Sequence, residues 1–258
     1  MSTASAKGAP EFTFFVPCLN EAPRIAGTLD TLSSAMKELG RTYEVLVVDD
    51  GSADDTSAVV EAYIREHAEC DIHLHSNPVN FGVAYSFVEA AFRGRGQYYR
   101  LIWGDNVEPK ETLLAILSKA GTADLIIPYY PHVPGKSRIR MQLSGFYTWL
   151  VNSIGGFQLH YYNGSVLCSR YVAMRWSPHN HGFTGFLADL ITQILAEGAT
   201  YVEVPVLGHH VNKDSKNTPI SFHNIVSTGL TLLAIFSRRL SYRICRNKLT
   251  RLQGSRLP

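Results

Sequence analysis

The sequence predicts an α/β protein with a mostly parallel central sheet and helices on both faces. Short apolar runs alternate with segments of helical periodicity over the first 128 residues, as in a series of β–α units. The run at residues 43–48 is almost entirely apolar, which is typical of a parallel strand buried on both faces. A chain of 258 residues, 45% hydrophobic, is long enough to bury such a core without disulfides or a structural metal.

The first half of the chain is a regular series of elements. The first predicted strand covers residues 12–16 and ends at Pro17. A helix follows over residues 25–39, where apolar side chains recur every three or four residues. Ser52 and Asp55 have the spacing of a capping box, so a helix should start near Ser52 and run to residue 67. The other predicted elements are strands at 43–48, 72–75, 99–103 and 124–128, and helices at 82–93 and 109–120.

The second half of the chain is less regular. Residues 137–160 are rich in aromatic side chains and have a helical pattern. A helix at 186–197 should end at Gly198, a strand should cover 200–206, and a long helix should cover 221–245.

The C-terminal tract has a charge of its own. The net charge is +2, but residues 215–258 contain eight Lys and Arg and no acid. An apolar stripe of helical spacing precedes most of this charge and consists of Phe222, Ile225, Val226, Leu230, Leu233, Phe236 and Leu240. An apolar face beside a cationic end predicts an amphipathic helix on an anionic membrane surface over residues 221–256. Packing on the protein's own core, or on a second subunit in a homodimer, is the alternative, and we expect no nucleic-acid partner.

Cysteine usage and the chain start predict a cytoplasmic protein, peripheral on the inner face of a membrane if the tail binds lipid. The cysteines are Cys18, Cys70, Cys168 and Cys245, without a CxxC pair, which fits reduced thiols. Residues 1–11 form a flexible N-terminus in this prediction and contain no apolar signal-peptide core.

Polar, acid-bearing clusters follow three of the predicted strands, at the point where each strand ends. These clusters are residues 20–21, 49–50 and 104–108. In open α/β sheets ligands bind beyond the carboxyl ends of the strands. Carboxylates gathered there repel one another unless they share a cation, and oxygen ligands suit Mg²⁺ or Mn²⁺. Taken singly, each cluster also fits a turn or a helix start; the three together predict a site.

At these motifs the sequence resembles the inverting glycosyltransferases of family 2, and among them the dolichyl-phosphate mannose synthase-like branch. The resemblance covers residues 12–216. It depends on FFVPCLNEAPRI, YEVLVVDDGSADDT, Asn80–Ala84, GDNVEP, Asn163-Gly164, and YVEVPV followed by Asp214-Ser215-Lys216.

The resemblance implies a GT-A fold over residues 12–220, with a nucleotide-sugar-binding half at 12–128 and an acceptor-binding half at 129–220. It also implies an NDP-sugar donor, a divalent metal (Mg²⁺ or Mn²⁺), and a sugar, lipid or small-molecule acceptor. The nucleotide-sugar-binding positions would be Pro17, Leu19, Glu21, Val48, Asp50, Gly104 and Asp105. The metal ligands would be Asp105, Asn106 and Glu108, and the catalytic residues Asp189, Lys216, His210 and Arg140.

The sequence departs from the family pattern at two places. Gly104 and Asn106 replace the two aspartates of the metal motif, so we expect the ligands to shift to Asp105 and Glu108. Tyr130 and His210 stand where relatives carry phosphate-gripping arginines. This exchange favours a hydroxyl acceptor, with Asp189 as general base, over polyprenyl phosphate, which needs no base. A nucleotide-sugar-binding domain with impaired catalysis, or a nucleotidyltransferase, is the further alternative.

Overall fold

The computed structural model describes residues 8–132, 137–176, 185–207 and 222–254, with side chains of the last segment described from 226 to 242. One seven-stranded sheet runs through it in the order β3-β2-β1-β4-β6-β5-β7. All pairings are parallel except those of β6, which is antiparallel to β4 and β5. The strands are β1 (Phe12–Cys18), β2 (Tyr43–Asp49), β3 (Ile72–Ser76), β4 (Tyr98–Leu101), β5 (Leu125–Tyr129), β6 (Leu167–Ser169) and β7 (Tyr201–Pro205).

Helices cover both faces of the sheet, which confirms the predicted fold class. The helices are α1 (Ile25–Leu39), α2 (Thr56–Glu66), α3 (Val83–Arg93), α4 (Lys110–Leu117), α5 (Arg138–Gly155), α6 (Arg170–Arg175), α7 (Phe186–Ala196) and α8 (Phe222–Gly254). Alternate residues of β1 enter different clusters: Phe14 packs with α1, α2 and α4, whereas Phe15 packs with α3 and α7. The sheet is therefore buried on both faces, as its apolar strands require.

Several elements differ from the prediction, among them α5, which ends at Gly155 rather than at residue 160. Helix α2 begins at Thr56 rather than near Ser52, because the Ser52 hydroxyl accepts a hydrogen bond from Asn20 N–H instead of capping the helix. Strand β6 and helix α6 were not predicted, since each is too short to produce a periodic pattern. Helix α8 continues to Gly254, beyond the predicted end at residue 245.

The strand register brings the predicted clusters to one edge of the sheet. Cys18 at the end of β1 pairs with Asp49 at the end of β2, and Asp50 N–H donates to Cys18 C=O at 2.9 Å. On the other side of β1, Ile102 N–H donates to Phe15 C=O at 2.8 Å, so the loop after β4 leaves at the same edge. The three loops after β1, β2 and β4 therefore adjoin, as expected from the crevice rule.

Candidate active site

Hydrogen bonds lock the loop after β1 to the loop after β2. Asn20, whose φ of 58° lies in the left-handed region, donates its N–H to Ser52 Oγ at 2.9 Å. Its side-chain Oδ1 accepts from Ala53 N–H at 2.8 Å. Glu21 N–H donates to Thr56 Oγ1 at 2.9 Å, which fixes Glu21 at the start of α2. The loop after β1 is thus held against the loop after β2 by backbone and side-chain hydrogen bonds of Asn20 and Glu21.

Asp50 joins this pair of loops to the segment before α3. Its buried carboxylate accepts from the N–H groups of Phe81 and Gly82, at 3.0 and 2.8 Å, and from Asn77 Nδ2 at 2.7 Å. Gly51 allows the close approach, because a Cβ there would lie 2.9 Å from backbone atoms of Val79 and Asn80. Asp50 therefore organises three loops, and its predicted contact with the nucleotide would add to these bonds.

The other predicted nucleotide-binding residues lie around the same edge. Pro17 pairs with Val48 across β1 and β2. Val48 is buried under the helices, whereas the Leu19 side chain is largely exposed beyond the strand end. Leu19 is accordingly the most exposed side chain of this group, while Glu21 is 18% exposed and paired with Arg24.

Gly104 is packed too tightly to carry a side chain. A Cβ at this position would lie 2.9 Å from Cys18 Sγ and 3.0 Å from the carbonyl oxygen of Pro17. The Gly104 carbonyl in turn accepts from Thr28 Oγ1 of α1 at 3.0 Å. The replacement of the family aspartate by glycine therefore fits a loop pressed against the end of β1.

Asn106 is turned towards α1. It has a φ of 54°, and its Oδ1 accepts from Thr31 Oγ1 at 3.2 Å. The amide lies over Gly27, where a Cβ would be 2.5 Å from Asn106 Nδ2. Its predicted role as a metal ligand would compete with this contact.

Asp105 has a carboxylate oxygen, the buried Oδ1, that forms no hydrogen bond with the described residues. Burial, and then the negative charge of Glu21, raise the pKa of Asp105 above its ordinary value. Glu21 itself pairs with Arg24 Nε at 2.7 Å. An unpartnered carboxylate oxygen, destabilised by burial and by a second carboxylate, fits a divalent cation, which would relieve both costs.

Glu108, the other predicted carboxylate ligand, is paired inside the protein. Its two oxygens accept from the guanidinium of Arg100 in β4, at 3.0 and 2.5 Å. Both side chains are almost fully buried, at 0% and 7% exposure. Tyr130, the residue in place of a phosphate-gripping arginine, lies near this pair and packs edge-on against Tyr161. In this arrangement Glu108 anchors the loop, and metal binding would require it to share its oxygens with Arg100.

Asp189 is also held in an ion pair. It lies in the first turn of α7, and its Oδ1 accepts from Arg238 of α8 at 2.5 Å. Its Oδ2 accepts from Trp176 Nε1 at 3.3 Å. This buried carboxylate is occluded by the guanidinium, so a general base here requires Arg238 to withdraw.

The remaining predicted catalytic residues are not brought to this cluster by any described contact. Arg140 is half-buried in the first turn of α5, where its N–H donates to Ser137 Oγ at 3.3 Å. His210 and Lys216 lie outside the described residues.

Sequence reasoning missed the two arginines that pair with the predicted acids. Arg100 interrupts an otherwise apolar strand, YYRLIW, and a charge in such a strand must find a buried partner. The charged residue in this strand thus predicts a buried ion pair for Arg100, but it does not identify Glu108 as the partner. Arg238 carries no comparable signal, because it lies in a tract of many basic residues.

A second group of candidate metal ligands lies at the opposite edge of the sheet. Glu44, Asp71 and His73 have ligand atoms within 4.8 Å of one another. Arg95 already bridges the two acids, at 2.8 Å to Glu44 and 2.6 Å to Asp71. Both carboxylates of this group are therefore already bound by one guanidinium, and the group is remote from Asp105.

Comparison with known proteins gives a family match and several relatives. The profile of Glycosyl transferase family 2 matches residues 13–183. A dolichyl-phosphate beta-glucosyltransferase of Trichomonas vaginalis is 26% identical over 137 residues, 49% of this chain and 40% of that protein. The undecaprenyl-phosphate 4-deoxy-4-formamido-L-arabinose transferase of Salmonella paratyphi B is 22% identical over 214 residues, 82% of this chain and 63% of that protein. The matches thus span less than two thirds of these relatives.

Solved structures show the same fold. Glucosyl-3-phosphoglycerate synthase from Mycobacterium tuberculosis, in complex with Mn²⁺, UDP and phosphoglyceric acid, has a TM-score of 0.66 at 16% identity, with 89% of this chain and 78% of that chain covered. A mannosyltransferase from Pyrobaculum calidifontis, in complex with GDP-Man and Mn²⁺, has a TM-score of 0.59 at 18% identity, with 91% and 71% covered. At these identities the likeness establishes the GT-A fold.

Proposed function

We propose that this chain, which belongs to glycosyl transferase family 2, transfers a single sugar from a UDP- or GDP-sugar with inversion at the anomeric carbon. The observation that carries the proposal is that the loops after β1, β2 and β4 adjoin at the carboxyl ends of the strands, and that the loop after β4 carries the unpartnered oxygen of Asp105. Ligands bind at this edge of open α/β sheets.

The donor would lie along this edge. Leu19 is exposed to the nucleoside, and Asp50 would receive a charge-assisted hydrogen bond from it. During transfer the bond from the anomeric carbon to the diphosphate oxygen breaks, and its electron pair leaves with the nucleoside diphosphate. A bond from the acceptor oxygen to the anomeric carbon forms on the opposite face of the sugar.

Asp105 would hold a divalent metal together with the donor diphosphate. Such a metal, Mg²⁺ or Mn²⁺, would supply positive charge beside the leaving group. Gly104 offers no side chain, while Asn106 and Glu108 already have partners on α1 and β4. A site with one free carboxylate oxygen should bind metal weakly alone and more tightly with the diphosphate, since Mg²⁺ is commonly held by one or two carboxylates plus phosphates.

The acceptor we favour from the structure is a lipid phosphate. A phosphate oxygen is already an anionic nucleophile and needs no base, whereas a hydroxyl acceptor would need Asp189, which is occluded by Arg238. Two of the relatives above carry names that specify dolichyl-phosphate and undecaprenyl-phosphate chemistry. The hydroxyl acceptor, predicted from Tyr130 and His210, is the competing proposal. Either acceptor fits a cytoplasmic protein peripheral on the inner face of a membrane.

One assay tests these proposals. Purified protein is incubated with a panel of UDP- and GDP-sugars and either a short-chain polyprenyl phosphate or neutral sugar acceptors, with Mn²⁺ or with EDTA. We expect Mn²⁺-dependent transfer to the polyprenyl phosphate, lost in Asp105→Asn and kept in Asp189→Asn. If wild type glycosylates a hydroxyl acceptor, and an Asp189→Asn variant that circular dichroism shows to be folded does not, the acceptor assignment is reversed. Nucleotide binding without transfer to any acceptor would indicate a catalytically impaired domain.

A further inference from the structure

Helix α8 buries two hydroxyl side chains and an isoleucine against the protein and exposes several larger apolar side chains to solvent. Ser227, Thr231 and Ile235 are buried at intervals of four residues. Five large apolar side chains of α8 are exposed, and we call them the outer face: Val226, Leu230, Leu233, Phe236 and Leu240. A helix on the surface of a water-soluble domain normally buries its apolar stripe and exposes polar residues. The apolar outer face of α8 is therefore left without an apolar partner among the described residues.

Specific contacts fix α8 in this orientation. Arg238 donates to Asp189 at 2.5 Å and to Thr192 Oγ1 at 3.3 Å, both on α7. Thr231 packs against Gly185, where a Cβ would lie 2.7 Å from its Oγ1. Rotating the helix to bury the outer face would break the Asp189 ion pair and leave a buried carboxylate unpaired. The exposure of the outer face is therefore a property of the packed helix.

Helix α5, whose C-terminal end contacts α8, also carries exposed apolar side chains. Arg239 donates to the carbonyl groups of Ser153 and Ile154 at the end of α5, at 2.6 and 2.8 Å, which joins the two helices. Phe146 and Trp149 of α5 are both exposed and stack on each other, with ring centroids 5.7 Å apart. Exposed Trp and Phe beside apolar helices are typical of side chains at a membrane interface.

We propose that the outer face of α8 inserts into the interfacial layer of an anionic bilayer, with α8 parallel to the membrane plane. Charge decides between lipid and a second copy of the chain. Helix α8 contains six Lys and Arg and no acid, and only Arg238 among its described side chains is paired with an acid, Asp189. An α8–α8 interface would bring two such basic helices together, whereas anionic headgroups complement them. Within the described segments, no helix has the length and apolar character needed to cross a bilayer. Attachment by one apolar face suits such a helix.

This inference gives a structural basis to the peripheral location proposed above, and it is separable from the transfer reaction because membrane binding is measured without donor. The probe is co-sedimentation of the full chain with vesicles of phosphatidylcholine alone, or of phosphatidylcholine with phosphatidylglycerol. We expect binding to the anionic vesicles that weakens as salt is added. The triple variant Leu230→Ser/Leu233→Ser/Phe236→Ser should bind at least about tenfold more weakly.

A matched control is Phe92→Ser, which removes an exposed aromatic side chain from α3 and should leave vesicle binding unchanged. Circular dichroism checks that each variant is folded, and Leu233→Asp serves as a single substitution if the triple variant is not. Equal binding of wild type and the folded variants, or absence of binding to anionic vesicles, would overturn the proposal. So would a dimer, seen by light scattering, that dissociates in the triple variant, because a second copy would then cover the outer face. Transfer activity can still be measured with a soluble short-chain acceptor, whether or not the protein binds vesicles. Failure of the membrane proposal is therefore distinguishable from failure of the proposed transfer reaction.

Discussion

Substituting alanine for Glu108 leaves the Arg100 guanidinium buried without its counter-charge. Arg100 is fully buried, and its Nε already lacks a partner among the described residues, so the structure offers it little compensation. Removing one partner of a buried pair costs about 3–5 kcal/mol of the free energy of unfolding. For a chain of this size, each kcal/mol lowers Tm by about 2–4 °C, so Glu108→Ala should lower Tm by roughly 6–20 °C.

Calorimetry or urea unfolding of apo-protein measures this loss. The control is the double variant Arg100→Met/Glu108→Leu, which removes both charges and should recover most of the stability, because apolar replacements of buried pairs are commonly neutral or stabilising. Mn²⁺ affinity in the presence of UDP or GDP should stay within about threefold in the double variant. A Glu108→Ala protein as stable as wild type, but deficient in Mn²⁺ binding, would refute the anchoring role and make Glu108 a metal ligand.

Three other substitutions probe the same crevice. Gly104→Asp should destabilise the protein by about 1–3 kcal/mol in urea unfolding, since its Cβ meets Cys18 Sγ and the Pro17 carbonyl; tighter Mn²⁺ binding at unchanged stability would contradict this. The raised pKa of Asp105 means that the folded state holds the proton more tightly, so this group's contribution to stability is present at low pH and is lost as pH rises through the folded-state pKa. Asp105→Asn should therefore raise the Tm of apo-protein at pH 7 while abolishing Mn²⁺-dependent nucleotide binding, and a lower Tm would count against the unpartnered oxygen. Asp50→Ala should weaken UDP or GDP binding by about 1–3 kcal/mol in calorimetry, with unchanged affinity as the contrary result.

The strand–helix series was predictable because its signals are local. The apolar run at residues 43–48 and the spacing over 25–39 led to elements observed at β2 and α1 within a residue. Strand β6 was not predictable in this way, because its three residues pair with β4 and β5, which lie far away along the chain. Turn and capping signals were also ambiguous, since Ser52 bonds to Asn20 across 32 positions.

The position of the candidate site could be predicted from the sequence, but the hydrogen-bond partners of its acidic side chains could not. The clusters after β1, β2 and β4 adjoin because parallel strands end at one edge, which the pattern alone implies. The partner of each acid is set by side-chain packing, which sequence spacing does not encode. Asp105, Glu108 and Asp189 were equivalent as acids in the sequence, yet the first has an unpartnered oxygen and the other two bind Arg100 and Arg238.

The ion pair between Asp189 and Arg238 has a practical consequence for anyone who shortens this protein. Removing an amphipathic C-terminal helix is a common way to improve expression and handling. Here the truncation would delete Arg238 and expose the side of α7 that packs against α8. The truncated protein would therefore lose stability, and with it transfer activity, for reasons unrelated to lipid binding. The role of α8 at a membrane is therefore separated from its role in the core by exchanging single side chains on the outer face, with the helix itself kept.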